Sequence, residues 1–294
     1  MTNTPPDAQA EAPPTTKKSS DLLPRVITSV IGVPALIYLA FMAPPLAFGV
    51  LIGAAVFIGS WEFITMTMGR GHRPVQLMTC LSAVAVFASM YFTGDKEGPS
   101  GLAVVFALVL GMLLQFLTHL FSYKDLSKVS AHIGYGAVAL IYCGVMPATI
   151  ALLHRDGGDL GGVWVMMAFA VVWGSDTGAY FVGRAFGKHK LAPRVSPKKS
   201  IEGAVGGLLS SVAAVFIFKY AGWLPDLTIA QVFLIAVPGN ILGQVGDLCE
   251  SLIKRAHDVK DSGVIIYGHG GLLDRIDSVL FAVPWIYFVY RFLI

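Results

Sequence analysis

Charge is scarce in this chain. Of its 294 residues only 13% are Asp, Glu, Lys or Arg, and 55% are hydrophobic; ordinary soluble domains carry roughly 25% charged residues. That imbalance excludes a water-soluble globular domain and reads as an integral membrane protein. Cysteine is almost missing too. Cys80, Cys143 and Cys249 fall in or beside apolar segments without metal-ligand spacing, which argues against a disulfide framework and a zinc site. They read as small buried hydrophobes. No basic surplus suggests nucleic acid either. The net charge is only +3, and the basic residues sit in short loops rather than on one soluble face. The first twenty residues, rich in Pro, Thr, Ala and Ser, lack the apolar core and small-residue cleavage site of a signal peptide. Residues 1–22 are therefore expected to form a disordered cytoplasmic tail.

Long apolar runs are what the chain has in quantity. Crossing the hydrocarbon core takes about 20 predominantly apolar residues, and nine stretches qualify: 26–43, 45–66, 76–93, 101–122, 131–153, 162–182, 203–219, 228–247 and 276–293. The expected fold is all-α, a polytopic integral membrane helical bundle of about nine transmembrane helices. The Ala43–Pro45 junction is so short that the first two spans should form a tight hairpin near the interface. Pro34, Pro147, Pro238 and Pro284 fall inside spans, where a missing backbone donor kinks a helix. No internal repeat is visible.

Seventeen of the twenty-one Lys and Arg residues collect on one side if the N-terminus is cytoplasmic; only Lys96, Arg155, Lys219 and Arg291 fall on the other. The positive-inside rule reads this asymmetry as N-in and C-out. Loops 183–202 and 248–275 then both face the cytoplasm, where nucleotides are.

Against that apolar background, Ser251 to Asp277 carries ten acidic, basic or histidine side chains and four glycines. Charge at such density beside a membrane is costly and points to chemistry on an ionic substrate. If the preceding span continues as a helix to Asp258, then Asp247, Glu250, Ser251, Lys254, Arg255 and Asp258 form one polar stripe at i, i+3, i+4, i+7, i+8 and i+11. A salt-bridged solvated surface has the same pattern. This stripe, however, starts at Asp247 inside the apolar run, where a carboxylate faces a cavity, a partner or a metal. Farther on, Gly268-His269-Gly270-Gly271 leads into the ninth span; glycines before a helix let the backbone approach a phosphate closely. Asp274 and Asp277, three apart, can project to one side of the first turn, either compensating the helix dipole or joining Asp247 around Mg²⁺, which takes a few carboxylates plus substrate phosphate oxygens. His269 reads as a base or phosphate ligand, or as a hydrogen-bonded structural histidine.

A second constellation lies upstream. Asp176, Tyr180 and Arg184 follow one another at i, i+4 and i+8 within the sixth span. Arg184, Lys188, Lys190, Arg194, Lys198 and Lys199 then occur within sixteen residues without one acid. Such a run suits polyphosphate or anionic lipid headgroups, although topology alone would use some of these cations. Ser196-Pro197-Lys198-Lys199-Ser200 starts the seventh span, where hydroxyls and backbone amides add anion affinity.

These residues resemble a known signature. Ser251, Lys254-Arg255, Lys260-Asp261, Gly263, His269-Gly270-Gly271 and Asp274-Arg275-x-Asp277 are similar in identity and spacing to phosphatidate cytidylyltransferases. Gly174-Ser175-Asp176-Thr177-Gly178-Ala179-Tyr180, the Ser196–Ser200 run and Glu202-Gly203 resemble that family's upstream motifs. The likeness covers roughly the C-terminal 120 residues strongly; the N-terminal half matches only as generic apolar spans. Tyr267 departs from the family's usual Pro or Gly two residues before the histidine, which implies an altered turn.

The resemblance implies an enzyme that transfers CMP from CTP to phosphatidate, giving CDP-diacylglycerol and pyrophosphate, with Mg²⁺ and a second, monovalent cation, K⁺. It divides the chain into N-terminal transmembrane helices (23–160) and a C-terminal catalytic region (161–294). It assigns Asp247 and Asp274 to metal, with Asp277, Asp176 and His269 completing the catalytic set. Ser196, Lys198, Lys199, Ser200, Ser251, Lys254, Arg255, Lys260, Gly270, Gly271 and Arg275 become substrate-binding candidates. A homodimer in the bacterial inner membrane is also implied. Two other readings compete with this one. A transporter of an anionic phosphate or nucleotide metabolite would place its site near the midplane, whereas these charges cluster at the ends of spans six to nine. The CDP-alcohol phosphotransferases carry a clustered aspartate pattern within one helix pair that this chain lacks.

Overall fold

All nine apolar stretches fold as helices in the computed structural model, which describes residues 22–93, 100–265 and 270–294. The expected tail, His269 and Tyr267 lie outside those described residues, apart from Leu22. Two residues separate α1 (Leu22–Met42) from α2 (Pro45–Met68), as the short junction requires. Pro45 begins α2, where its missing N–H leaves no bond unmade. Then come α3 (Arg73–Phe92) and α4 (Gly101–Ser122). The fifth stretch is α5 (Val129–Ala139) and α6 (Met146–Asp156), joined by a π-helical turn at Leu140–Val145. Pro147, just beyond that turn, lacks the N–H that an unbroken ladder would use, and the wider turn absorbs the loss.

The C-terminal region holds α7 (Gly161–Phe186), α8 (Ile201–Tyr220), α9 (Ile229–Ala256) and α10 (Leu273–Leu293). Counting the α5–α6 rod once, eight helices among the described residues are long and apolar enough to cross a membrane; the 21-residue α1 covers the remaining apolar stretch. Large apolar side chains face outward, as lipid contact allows: Leu102, Phe106 and Phe121 on α4 are exposed.

Small residues set the closest helix pair. A Cβ on Gly207 of α8 would lie 2.8 Å from Ser175 Oγ of α7, and one on Gly178 of α7 would overlap Ser210 of α8. Side-chain-free positions let the two backbones approach. Below them, buried Asn240 of α9 donates to Ser175 Oγ (2.7 Å) and Ser211 Oγ (2.8 Å), so the polar groups of three helices satisfy one another.

Two elements differ from the sequence reading. The basic run is not wholly loop: β1 (Lys190–Ala192) and β2 (Ser196–Ser200) pair antiparallel. Glu202 fastens this hairpin to α8 by accepting from His189 Nδ1 (2.6 Å) and from the Lys188 and His189 amides. The stripe helix also stops at Ala256 rather than Asp258. Asp258 takes a left-handed φ of 54°, which breaks the helix.

Candidate active site

α7 and α9 run in the opposite sense to α8 and α10, so the C-terminal ends of the first pair meet the N-terminal ends of the second. The predicted site residues among the described ones lie toward those ends. Between α7, the hairpin and α8 opens a cavity of about 350 Å³ lined by Asp176, Tyr180, Arg184, Lys198 and Lys199, with Gln244 of α9 closing it. Tyr180 accepts a 3.0 Å hydrogen bond from Arg184, so the helical face expected from the four-residue spacing is present.

Lys199 turns from β2 toward α9 and pairs with Asp247 at 2.5 Å. Asp247 also accepts from Ser251 Oγ at 3.3 Å, one turn along. Asp176 and Asp277 both lie within electrostatic reach of Asp247. A Cβ on Gly246 would come 2.7 Å from the Asp277 carbonyl, so glycine there lets α9 and α10 close beside these acids.

A second ion group sits deeper. Lys254 binds Asp274 at 2.7 Å and Glu250 at 3.3 Å, all three side chains being largely buried. Asp274's other oxygen accepts from the Ser262 and Gly271 amides, each at 2.9 Å. Glu250, 1% exposed, lies within electrostatic reach of Asp277.

The other predicted residues that are described lie around these groups. Arg255, Lys260, Lys198 and Arg275 are exposed, and Arg255 reaches the Val259 carbonyl at 3.4 Å. Ser196 is half-buried in β2. Ser200 caps α8, accepting from the Gly203 amide at 3.1 Å. Gly270 has a φ of 84°, a left-handed conformation suited to glycine, and the Gly271 amide is taken by Asp274. This glycine pair therefore shapes the loop; its Gly271 amide is already engaged rather than open to a phosphate.

Two acids went unassigned by sequence reasoning. Glu250 was visible in the stripe but given no role. Glu62 of α2 accepts from the Leu272 and Leu273 amides, each at 3.0 Å, across 210 and 211 residues. Its one signal was a lone carboxylate inside an apolar run, the same signal that singled out Asp176.

Among the described residues, no three His, Cys, Asp or Glu side chains converge as a ready-made metal cage. The donor chemistry nevertheless suits Mg²⁺, which is commonly held by one or two carboxylates and completed by water and substrate phosphates. The two aspartates expected to bind metal each pair with a lysine ammonium, Asp247 with Lys199 and Asp274 with Lys254.

Arg184, Lys198 and Lys199 line one cavity beside Asp176 at the ends of the membrane helices, a charge pattern suited to an anionic group. The cytidylyltransferase family model matches residues 23–293. The phosphatidate cytidylyltransferase of Bacillus subtilis is 32% identical over 272 residues, spanning 92% of this chain and 97% of that protein. Those of Haemophilus influenzae and Thermotoga maritima are 31% and 32% identical, covering 92% and 93% of this chain and 99% and 97% of theirs. The chain belongs to the cytidylyltransferase family and is a nucleotidyltransferase. The resemblance read from the motifs is thereby borne out, and it extends through the N-terminal half that had looked generic.

Proposed function

We propose that this protein is a phosphatidate cytidylyltransferase that joins CTP and phosphatidate into CDP-diacylglycerol and pyrophosphate. The observation that carries the reading is the pair of Asp247 with Lys199, which lines a cavity together with Arg184, Lys198 and Asp176. It offers cations for phosphates beside carboxylates for a divalent metal.

In the reaction, a phosphate oxygen of phosphatidate forms a new bond to the α-phosphorus of CTP. The bond between the α-phosphorus and its bridging oxygen breaks, and the electron pair leaves with pyrophosphate. The attacking oxygen is already anionic, so no covalent enzyme nucleophile is needed; positioning and electrostatics carry the rate. Lys198, Lys199, Arg184, Lys254, Arg255 and Arg275 supply phosphate contacts, and Ser196, Ser200, Ser251 and Lys260 support them. Asp247 and Asp274 would hold Mg²⁺, with Asp277 and Asp176 close by, and the metal would add neutralising charge to the phosphates. Lys199 and Lys254, which pair with Asp247 and Asp274, would be the cations nearest the substrate phosphates. K⁺ as a second cation rests on the resemblance alone. His269 completes the set as a base or phosphate ligand.

The lipid substrate implies a cytoplasm-facing site in the bacterial inner membrane with the N-terminus inside, an orientation supported by the distribution of Lys and Arg. A homodimer is part of the same proposal. The test is the fate of CTP labelled at its α-phosphate in proteoliposomes containing phosphatidate. Label recovered in the organic phase as CDP-diacylglycerol supports transfer. Unchanged CTP accumulating inside the vesicles supports transport instead.

A further inference from the structure

α10 starts without a cap of its own. Leu272 precedes it with no side-chain acceptor, yet a helix N-terminus leaves several amides needing partners. Those of Leu272 and Leu273 are satisfied by Glu62, which sits on α2 and is only 2% exposed. Each carboxylate oxygen takes one amide, and its negative charge sits where the helix dipole favours it. The surrounding loop is shaped to this carboxylate. A Cβ on Gly271 would stand 2.9 Å from Glu62 Oε2, and one on Gly263 would overlap Oε1. One turn before Glu62, Gly59 leaves room for Leu273, which is 1% exposed; a Cβ on Gly59 would lie 3.1 Å from Leu273 Cδ2. Thus α2 supplies both an acceptor and an apolar seat for the start of α10.

We infer that Glu62 is a positioning residue: by capping α10 from the N-terminal bundle it fixes Asp274 and Asp277 relative to Asp247. Asp274 holds the Ser262 and Gly271 amides, so two carboxylates from different helices staple the same loop. This role deepens the cytidylyl-transfer reading and rests on it only for its kinetic part.

Glu62→Gln in the full-length protein tests it, because the amide keeps one acceptor and turns a donor toward the other N–H. Hydrogen exchange of peptides covering 270–276 is expected to rise at least tenfold, with α7 and α8 unchanged. In the CTP and phosphatidate assay kcat should fall by roughly 10- to 100-fold, the usual scale for losing a supporting contact at a metal site, while KM for CTP shifts less than about threefold. Gly59→Val, which displaces Leu273 without altering charge, should give the same local signature and serves if the first variant does not fold. Wild-type exchange at 270–276 in a folded variant, or exchange rising equally in every helix, overturns the inference. A wild-type protein without turnover would overturn the reaction and leave the exchange result to judge Glu62.

Discussion

Lys199 of β2 and Asp247 of α9 meet at 2.5 Å, tying the basic hairpin to the carboxylates at the helix ends. The pair explains how the two motif regions, some fifty residues apart in sequence, come to serve one site. Asp247→Asn is expected to lower turnover at least a hundredfold while the protein remains folded in detergent. Pyrophosphate release at saturating CTP, with circular dichroism as control, checks it; near-normal Mg²⁺-dependent rates would refute the metal assignment.

Lys254 pairs with both Glu250 and Asp274. Lys254→Met leaves two buried carboxylates without it, a change costing about 3–5 kcal/mol when one partner of a buried pair is lost. A fall of several degrees in thermal midpoint, together with loss of activity, is expected from melting curves followed by residual turnover.

Gly270→Ala forces a side chain into a φ of 84°, a strain of about 1–2 kcal/mol. It is expected to reduce kcat and loosen the 270–276 loop, with little change in the thermal midpoint of the bundle. Paired kinetics and hydrogen exchange check both parts.

Thr228 caps α9 at the end away from the site, in a capping box with Gln231. Thr228→Ala should cost about 1 kcal/mol of stability with kcat and KM unchanged. A kinetic defect here would mean that distant strain reaches the catalytic end.

The spans were legible because twenty apolar residues have few other fates, and the two-residue break between α1 and α2 followed from the short Ala43–Pro45 junction. Their ends were less so. The polar stripe carried α9 past its apolar run, but its stop at Ala256, set by the left-handed backbone of Asp258, left no mark in that pattern. The β1–β2 hairpin escaped notice because Ser196-Pro197-Lys198-Lys199-Ser200 has no alternating apolar face; Glu202 holds it through hydrogen bonds instead. Asp176 and Asp247 stood out as acids in motifs with regular spacing. Glu62 has no such spacing, and its partners lie 210 and 211 residues away. A long-range cap therefore leaves in the sequence only one misplaced charge.

The most direct test is pyrophosphate release by the purified protein in mixed micelles containing CTP, Mg²⁺ and phosphatidate, with each omitted in turn. Release that requires all three, with CDP-diacylglycerol recovered from the lipid phase, is the predicted result. Release that persists without phosphatidate, or none at all from folded protein, would contradict the account.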